Sequence, residues 1–556
     1  MRLVLGALLL LLCLRGTEAR GAEDSGPIEP ERVSRIIQKL ASKPFAGRAP
    51  GGPGEALTLA YLIEQFKAVG LEPGGEKGGW TQKVPLRHFQ VRNASARLSL
   101  LAGGHARTLR QGEEAIVTTV RPLKSVRIDQ APLVFVGYGV SASERGWDDF
   151  KGVDLRGKIA LFLINDPDFE AGEGEPVQGR FGGRAATYYA RWTYKFEEAA
   201  RQGALGALII HETPGAGYGW STLQSGTGET YDIVRTHPEK DKVLLQGWLP
   251  RDVAAELLSR SGLDLDTLKR RARSADFTPV VLEGASFSAR YTLAHRRVDS
   301  HNVIGRLPGA EHPQESIMYG AHWDAYGIGA PDASGERIRP GAVDDAIGVA
   351  GLVEIARAFQ AGPRPARSVL FAAWTAEEPG LLGSEYYGTH PLHPLDTLVA
   401  NLTMDVLQTA GPSRDVVLVG HGQNELEDLL AQAAARQGRT VTPDARPERG
   451  LFYRADHFSL ARRGVPVLLL MGLGGGQDLV NGGREAGERW VADYTARCYH
   501  KPCDAWRADW DLRGAAQDMQ LLHELGRELA HSRRWPGWKP GSEFKALRER
   551  TDAARE

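Results

Sequence analysis

The sequence contains few cysteines, almost no net charge and no long apolar run after its first residues. Only three of the 556 residues are cysteine, too few for a fold of this size to be framed by disulfides. Its 68 basic and 69 acidic residues give a formal net charge of -1 at pH 7, so no electrostatic attraction predicts nucleic acid as a partner. Without a later apolar run, we expect no membrane partner once the N-terminal segment is removed.

Residues 1–19 are typical of a secretory signal peptide. Arg2 precedes an apolar run from Leu3 to Leu14, which is too short to span a bilayer, and small residues suited to cleavage follow it. We therefore expect an exported protein, either periplasmic or secreted. Cys13 leaves lipoprotein anchoring open, although the residue before it is a leucine, where a small residue would be required.

The length predicts two or three domains. Residues 23–128 start with two helical patterns and continue as short strand-like pieces that we assign to the same domain as residues 291–535, and residues 129–290 have a separate strand-rich pattern. Residues 291–535 alternate strands with helices, which predicts an α/β fold with a mostly parallel mixed sheet flanked by helices. Residues 536–556 form a charged tail, and we expect its part from Ser542 to Glu556 to be a solvated helix or disordered.

The apolar stretch Val369–Trp374 predicts a buried parallel strand, because it is short, rich in branched and aromatic residues and followed by breakers. Two carboxylates, Glu377 and Glu378, follow it closely. Ligands of open α/β sheets lie outside the carboxyl ends of the strands, so one Glu could bind a metal and the other could move protons. Taken alone, the pair fits a solvated helix start at least as well.

Five polar residues fall at predicted strand ends or in adjoining loops: His322, Asp344, Glu378, Asp405 and His500. Each alone has an ordinary explanation as a hydrogen-bonded core or loop residue. Together, two imidazoles and three carboxylates form a ligand set suited to zinc, with manganese or cobalt as substitutes. Five ligands are too many for one ion. Two Zn²⁺ per chain that share one carboxylate would use all five and leave positions for water and substrate.

These residues stand in motifs of a known family: His322-x-Asp324, Gly341-Ala-x-Asp344, Glu377-Glu378, Asp405 and Tyr499-His500. In this order they resemble the di-zinc aminopeptidases of the aminopeptidase Y kind, a superfamily shared with glutamate carboxypeptidase and the transferrin receptor. The resemblance implies a zinc exopeptidase fold. The strand, turn and helix order within residues 129–290 is similar to the protease-associated domain, a β-rich insertion without catalytic residues.

The resemblance also implies a role for each residue. The five ligands would divide between two zinc ions, with His322 and Asp405 on the first, Glu378 and His500 on the second, and Asp344 on both. Glu377 would be the catalytic general base, which takes a proton from the attacking water between the ions. Asp324 would orient His322 through its other ring nitrogen.

The sequence departs from the family pattern at two positions. Asp345 stands where the family usually has Asn, and its extra negative charge would bind a substrate ammonium or tighten the metals. Thr403 stands where Asn is usual on the strand before the third carboxylate ligand. Three residues of a later segment are expected in the substrate pocket or behind the ligands: Tyr453, Asp456 and His457.

Cys498 and Cys503 flank His500 in the segment Cys-Tyr-His-Lys-Pro-Cys. Four intervening residues, including a proline, are able to form a turn, and an exported chain reaches a compartment where disulfides form. We expect a disulfide that holds the His500 loop. Two free thiols, or one thiolate as a metal ligand, remain the alternatives.

The sequence therefore predicts an exported zinc-dependent aminopeptidase, a hydrolase that removes N-terminal residues from peptide substrates. The nearest alternative is a glutamate-carboxypeptidase-like enzyme, which would need arginines to hold a substrate carboxylate. Four arginines near the pocket segment are candidates: Arg449, Arg454, Arg462 and Arg463. The other alternative is a receptor-like binding protein on the same scaffold, which the complete set of ligands disfavours.

Overall fold

The computed structural model describes residues 28–224 and 229–555. The predicted signal peptide at residues 1–19, including Cys13, lies outside them. Within the described ranges, no helix combines the length and the apolarity needed to cross a bilayer.

Two amphipathic helices open the described chain, as predicted. α1 (Pro30–Leu40) buries the four apolar residues expected from their helical spacing, and α2 (Glu55–Ala68) buries Leu62 and Phe66 on its predicted face. Nine strands follow these helices: β1 (Glu72–Pro73), β2 (Thr81–Val91), β3 (Arg97–Ala102), β4 (His105–Leu109), β5 (Ile116–Thr118), β6 (Ser125–Phe135), β7 (Ser141–Ala142), β8 (Trp147–Asp148) and β9 (Ile159–Leu163).

The next segment alternates helices with strands and ends in one very long strand. Its elements are α3 (Trp192–Arg201), β10 (Gly206–His211), α4 (Thr213–Ala216), α5 (Trp220–Gln224), β11 (Glu229–Ile233), α6 (Pro238–Asp241), β12 (Leu245–Pro250), α7 (Arg251–Arg260), α8 (Leu265–Ala272) and β13 (Val280–Leu307). In this part the strand order is β4-β3-β13-β6-β9-β10-β12-β5. We call these eight strands the second sheet, and this part of the chain the second-sheet region. Side chains of its strands and of α7 and α8 form an apolar core.

The boundary predicted between residues 290 and 291 falls inside β13, a continuous strand of 28 residues. The first half of β13 pairs with β3 and β6 in the second sheet, and its second half pairs with β2 and β17 (Arg367–Trp374). The strands β3 to β5 also belong to the second sheet, whereas residues 23–128 were all assigned to the peptidase domain. No local sequence pattern predicts this arrangement, because strand pairing joins residues far apart in the chain.

The remaining elements contain the strands and helices around the predicted site. In chain order they are β14 (His312–His322), β15 (Gly327–Ile328), β16 (Ile338–Arg339), α9 (Ile347–Ala361), β17, α10 (Leu382–Thr389), β18 (Leu398–Met404), β19 (Asp415–Val419), α11 (Leu426–Arg436), β20 (Thr440–Pro443), α12 (His457–Ala461), β21 (Val467–Leu470), α13 (Gly483–Arg497), α14 (Arg513–His531) and α15 (Lys545–Glu549).

The first sheet has the strand order β11-β2-β13-β17-β14-β18-β21-β19-β20. Its centre is the parallel run β17-β14-β18-β21, and antiparallel neighbours flank that run on both sides. The predicted α/β class with a mostly parallel central sheet is therefore confirmed.

Alternate side chains of the central strands enter different cores, as a strand's period of two requires. On β14, Ile317, Tyr319 and Ala321 pack into one core with α1, α9, α11 and α14. Met318 points to the opposite face and packs with residues of α12 and the C-terminal segment. Because helices cover both faces, the strands are apolar throughout, and their polar residues collect at the ends.

The described part of the C-terminal segment, residues 536–555, packs against the first sheet, whereas we expected a charged tail whose last part is solvated or disordered. Trp538 and Phe544 are buried, and the indole N–H of Trp538 donates to the Gly464 carbonyl at 2.8 Å. Arg548 is also buried, with its guanidinium near the ring of Trp535. The expectation followed from the high charge of this segment, whereas a few aromatic residues hold it against the fold.

Candidate metal centre

The predicted ligands meet at the carboxyl ends of three adjacent parallel strands. His322 is the last residue of β14, Asp405 follows the end of β18, and Glu377 and Glu378 follow β17. Because β14 lies between β17 and β18, the three strand ends place these side chains side by side. This is the edge of an open α/β sheet where ligands bind.

Asp344 occupies the middle of the cluster. It lies in the turn Ala342–Ala346 that leads into α9. Its Oδ1 is 3.1 Å from Nε2 of His322, and its Oδ2 is 3.2 Å from Nε2 of His500. One carboxylate therefore contacts both imidazoles, one through each oxygen.

The donor atoms form two groups that share Asp344. The first group is His322, Asp344 and Asp405, and the second is Asp344, Glu378 and His500. Within each group, one donor atom of every residue lies within 4.8 Å of the others. The structure thus divides the five residues in the way the resemblance implied.

The chemistry of this site fits zinc ions. Two imidazole nitrogens and three carboxylates are ordinary zinc donors. Nε2 of His322 is buried among carboxylate oxygens, 3.1 Å from Oδ1 of Asp344, and makes no hydrogen bond of good geometry, so this ring nitrogen points into the cluster. The residues present are consistent with one ion in each donor group.

Burial and mutual repulsion make the carboxylates of the site costly to ionise without a cation. Burial raises the pKa of Glu377 well above its usual value, and the charge of Asp405 raises it further while His322 opposes the rise. Burial and the charges of Asp344 and Glu377 likewise raise the pKa of Glu378. A bound cation would reverse this balance and favour the ionised form of each carboxylate.

Asp324 contacts the site differently from the predicted role. The Nδ1 of His322 lies 3.1 Å from the backbone carbonyl of Asp324, whereas the carboxylate is 3.7 Å away. That carboxylate instead accepts the backbone N–H of Glu377 at 3.0 Å and of Glu378 at 3.4 Å. Asp324 therefore orients the imidazole through its backbone and fixes the Glu377-Glu378 turn through its side chain.

Several residues at the strand ends have left-handed backbones. Ala376, directly before Glu377, has φ 53°, and Val406, directly after Asp405, has φ 53°. His500 itself has φ 63°. Residues other than glycine rarely adopt this region, and such strain is concentrated at functional sites where the surrounding structure enforces it.

Asp345 is fully buried, and both of its carboxylate oxygens accept backbone N–H groups. One bond comes from His322 at 3.2 Å, and the other comes from Gly348 in the first turn of α9 at 2.9 Å. Its side chain therefore connects a ligand strand to a helix start, and does not face a substrate ammonium.

Two of the predicted pocket residues are core residues instead. The hydroxyl of Tyr453 donates to Glu543 at 3.1 Å inside an aromatic cluster. His457 is fully buried with no hydrogen-bond partner for either ring nitrogen among the described residues, and burial lowers its pKa to about 3. Asp456 is buried as well, and its charge adds to the rise in the pKa of Glu377 that burial causes.

The predicted arginines divide into two pairs. Arg462 donates to Glu197 at 3.2 Å and Arg463 donates to Glu385 at 3.0 Å, so both have carboxylate partners. Arg449 and Arg454 have no ion pair in the described parts of the chain. They lie beside the loop that contains Tyr218, whose ring is 5.8 Å from the Arg454 guanidinium.

Sequence reasoning missed two residues that hold the site together. Arg48 is fully buried and donates to the carbonyl of Trp323 at 2.7 Å, next to His322, and to that of Gly341 at 2.8 Å, at the start of the turn that contains Asp344. Asp504 binds the backbone of Asp344. Arg48 lies in a glycine- and proline-rich stretch with no motif of its own, so only its isolated charge hinted at a role.

Cys498 and Cys503 form a disulfide with their Cα atoms 5.0 Å apart. His500 lies within the loop that this bond closes. Its imidazole also contacts two aromatic rings, with ring centroids 3.6 Å away for Tyr499 and 4.3 Å away for Tyr326. The loop that supplies this ligand is therefore restrained covalently and by packing.

Residues 302–523 match the sequence model of Peptidase family M28. This segment contains every proposed ligand and Glu377, so the family resemblance predicted from the motifs is confirmed. Among curated proteins, the chain is 25% identical over 331 residues to a glutamate carboxypeptidase 2 homolog of Caenorhabditis elegans, covering 50% of this chain and 37% of that protein. It is 27% identical over 238 residues to leupeptin-inactivating enzyme 1 of Streptomyces exfoliatus, covering 42% and 49%. The chain thus spans less than half the length of these two relatives.

Solved structures of zinc aminopeptidases resemble the chain over most of its length. An aminopeptidase from Aneurinibacillus sp. strain AM-1 is 20% identical, covers 93% of this chain and 95% of its own, and has a TM-score of 0.48. The zinc aminopeptidase BSAP from Bacillus subtilis is 17% identical, covers 93% and 98%, and has a TM-score of 0.44.

Proposed function

We propose that the chain is an exported zinc-dependent aminopeptidase that binds two Zn²⁺ and releases N-terminal residues from peptides. The observation that carries the proposal is the pair of donor groups that meet at Asp344, with Glu377 beside them and in neither group. A receptor-like protein on this scaffold would have no need to retain both groups and a free carboxylate. The peptidase family match supports the same reaction class.

The donor groups and Glu377 would have different roles in the reaction. Zinc bound there would polarise a substrate carbonyl and lower the pKa of a bound water. Glu377 would accept a proton from the attacking water and pass it to the leaving amine. Its Oε2 lies 3.9 Å from Nε2 of His322, and Asp324 holds its backbone, so the carboxylate stays at the edge of the donor groups.

Release of amine from a panel of aminoacyl arylamides tests this proposal. We expect the zinc-loaded protein to hydrolyse several of them and to leave the N-acetylated forms of the same compounds intact. Equal hydrolysis of free and acetylated compounds would exclude an aminopeptidase, and hydrolysis of neither would leave only the alternative below or a protein without peptidase activity.

A glutamate-carboxypeptidase-like activity is the second candidate, because three arginines lie near the site without carboxylate partners in the described residues: Arg191, Arg449 and Arg454. The Nε of Arg191 is buried and makes no hydrogen bond. Burial and the neighbouring Arg454 lower the pKa of Arg191 to about 9, while Glu377 opposes this. Three such cations would suit a substrate carboxylate.

Substrates with a blocked amino end and a C-terminal glutamate separate the two candidates. The carboxypeptidase candidate predicts their hydrolysis and a rise in KM for Arg454→Met on these substrates. The aminopeptidase candidate predicts no cleavage of blocked peptides, and little effect of Arg454→Met on aminoacyl arylamides.

We also propose that the second-sheet region is a protease-associated domain that walls the substrate cleft. Its loops contact the peptidase segment, since the N–H of Ala186 donates to the Pro447 carbonyl at 3.1 Å. The ring of Tyr218 in this region also lies 5.8 Å from the guanidinium of Arg454 in the peptidase segment.

Export has a separate test. Deletion of residues 1–19, the proposed signal peptide, should retain the protein inside the expressing cell.

A further inference from the structure

Asp504 joins two of the three segments that supply the second donor group, the turn with Asp344 and the loop with His500. It is buried and directly follows Cys503. Its Oδ1 accepts the N–H of Val343 at 2.9 Å, and its Oδ2 accepts the N–H of Asp344 at 3.1 Å. Its backbone carbonyl accepts the N–H of Ala342 at 3.0 Å. One residue thus receives three successive N–H groups of the turn that carries the shared carboxylate.

The same residue is fixed to the loop that carries the histidine. The N–H of Asp504 donates to the Lys501 carbonyl at 3.1 Å, and the disulfide closes the loop just before it. His500 lies inside that loop, 3.2 Å from Oδ2 of Asp344. The spacing between His500 and Asp344 therefore depends on Asp504, because the loops meet through its carboxylate.

We propose that Asp504 is a positioning residue for the second donor group, which sets His500 against Asp344 before an ion binds. This inference rests on the proposed two-ion site. A carboxylate suits the position because it only accepts hydrogen bonds, and here its Oδ2 also accepts the Tyr494 hydroxyl at 3.0 Å. It has no contact with substrate in this role.

An amide of the same shape would disrupt the junction. Asn in place of Asp504 has one acceptor oxygen, and its NH₂ group must face the N–H of either Val343 or Asp344. One backbone N–H then loses its partner in either orientation. Tyr494→Phe removes only the hydroxyl and keeps both backbone bonds, so it is the milder variant.

Asp149 offers a matched control in the second-sheet region. It is also buried, and it accepts the N–H of Val140 at 2.9 Å and the indole N–H of Trp147 at 2.8 Å. Asp149→Asn should lower the melting temperature as Asp504→Asn does. It should leave metal binding unchanged, since Asp149 touches neither donor group.

Zinc titration of the full-length apo-protein against a competing chelator tests the inference. Asp504→Asn should weaken the second ion by about 10- to 100-fold, the usual effect of losing a contact behind a metal ligand, and the first ion far less. Tyr494→Phe and Asp149→Asn should change neither ion by more than about twofold, well under that effect. The absorption spectrum of cobalt in the second group should change only in Asp504→Asn.

Hydrogen exchange provides a measurement that does not need the variant to fold. In the wild-type apo-protein, the amides of Val343 and Asp344 should exchange slowly, because Asp504 holds them before metal arrives. Fast exchange there, or an unchanged second ion in folded Asp504→Asn, would overturn this inference alone. A wild-type chain that binds no second ion would overturn the two-ion function together with it.

Discussion

The two donor groups share one carboxylate but are built in different ways. His322 and Asp405 stand at the ends of adjacent central strands, and both are buried. Glu378 follows a strand by a turn, and His500 lies on a loop with about 29% of its side chain exposed. Sheet hydrogen bonds position the first group, whereas a disulfide, Asp504 and aromatic contacts position the second.

With the proposed two ions bound, this difference predicts unequal roles for them. The packed sheet holds the ligands of the first group in place before an ion binds. Binding there therefore costs little conformational entropy of those side chains, and the ion is shielded from water. The second group is partly exposed to solvent at His500. An ion bound there would therefore be the first that substrate and chelators reach. The shared Asp344 makes the two affinities interdependent.

Glu377→Gln should have the largest effect on the reaction. It should leave the metal affinities of both donor groups unchanged, because Glu377 belongs to neither group. We expect kcat to fall by about two orders of magnitude or more, the usual contribution of a positioned acid or base. Metal analysis should still find both ions. The neighbouring Glu378→Gln is the control, since it should lose the second ion; full metal content with unchanged kcat in Glu377→Gln would remove Glu377 from the mechanism.

Asp344→Asn should weaken both ions, because its carboxylate lies within reach of both imidazoles. His500→Ala should weaken only the second ion, and His322→Ala mainly the first. Zinc content after gel filtration measures all three. If Asp344→Asn lost one ion and bound the other at full affinity, the assignment of a shared ligand would be wrong.

The sequence was sufficient to predict the central strands, the α/β class and which residues meet. This worked because strand ends, β-branched runs and polar residues after them are local signals, and parallel strands bring those ends to one edge. His322, Asp405 and Glu378 are placed by this rule alone. Asp344 and His500 lie on loops, where strand ends do not fix their position, and the assignment of Asp344 to both ions came from the family resemblance.

What the sequence could not predict depends on contacts between distant segments. Arg48 reaches carbonyls beside His322 and Asp344 from the N-terminal segment. β13 crosses two sheets, and neither fact has a local signature. Tyr453 and His457 were misplaced for the opposite reason, since a motif position does not say whether a side chain faces the cleft or the core.

Stepwise chelation should separate the two ions without any mutation. A competing chelator should remove the second ion first, because its ligands are the more exposed and rest on loops. Activity should fall with that first loss, and zinc content should then level near one ion per chain. Loss of both ions in a single step would contradict the unequal construction of the two groups.

Arg48→Met should destabilise the fold and also weaken metal binding. Removing a fully buried cation leaves several carbonyls without a donor, which costs about 3 kcal/mol or more of unfolding free energy. Arg367→Met is the control, because Arg367 is equally buried at the start of β17 and donates to the Leu529 carbonyl at 3.0 Å, away from the site. Both variants should melt earlier, but only Arg48→Met should lower zinc affinity; equal affinity in the two would limit Arg48 to stability.

Cys503→Ser should have the smallest effect, and it acts on the second group alone. A bond that closes so short a loop contributes only about 2 kcal/mol through chain entropy, so the melting temperature should fall by a few degrees. Its loss should weaken the second ion by about tenfold, in the range seen when a support behind a ligand is removed. Thiol titration of unfolded, unreduced mature protein should find neither sulfur free.

Cys498→Ser is the matched variant for this prediction. Both substitutions break the same bond, so each should weaken the second ion equally, and the double variant should add nothing further because the two sites act as one unit. A thiolate ligand would behave differently, since only the substitution of that cysteine would then lower zinc affinity. Unequal effects of the two single variants would therefore contradict the disulfide as the support of His500 and favour a sulfur donor in the second group.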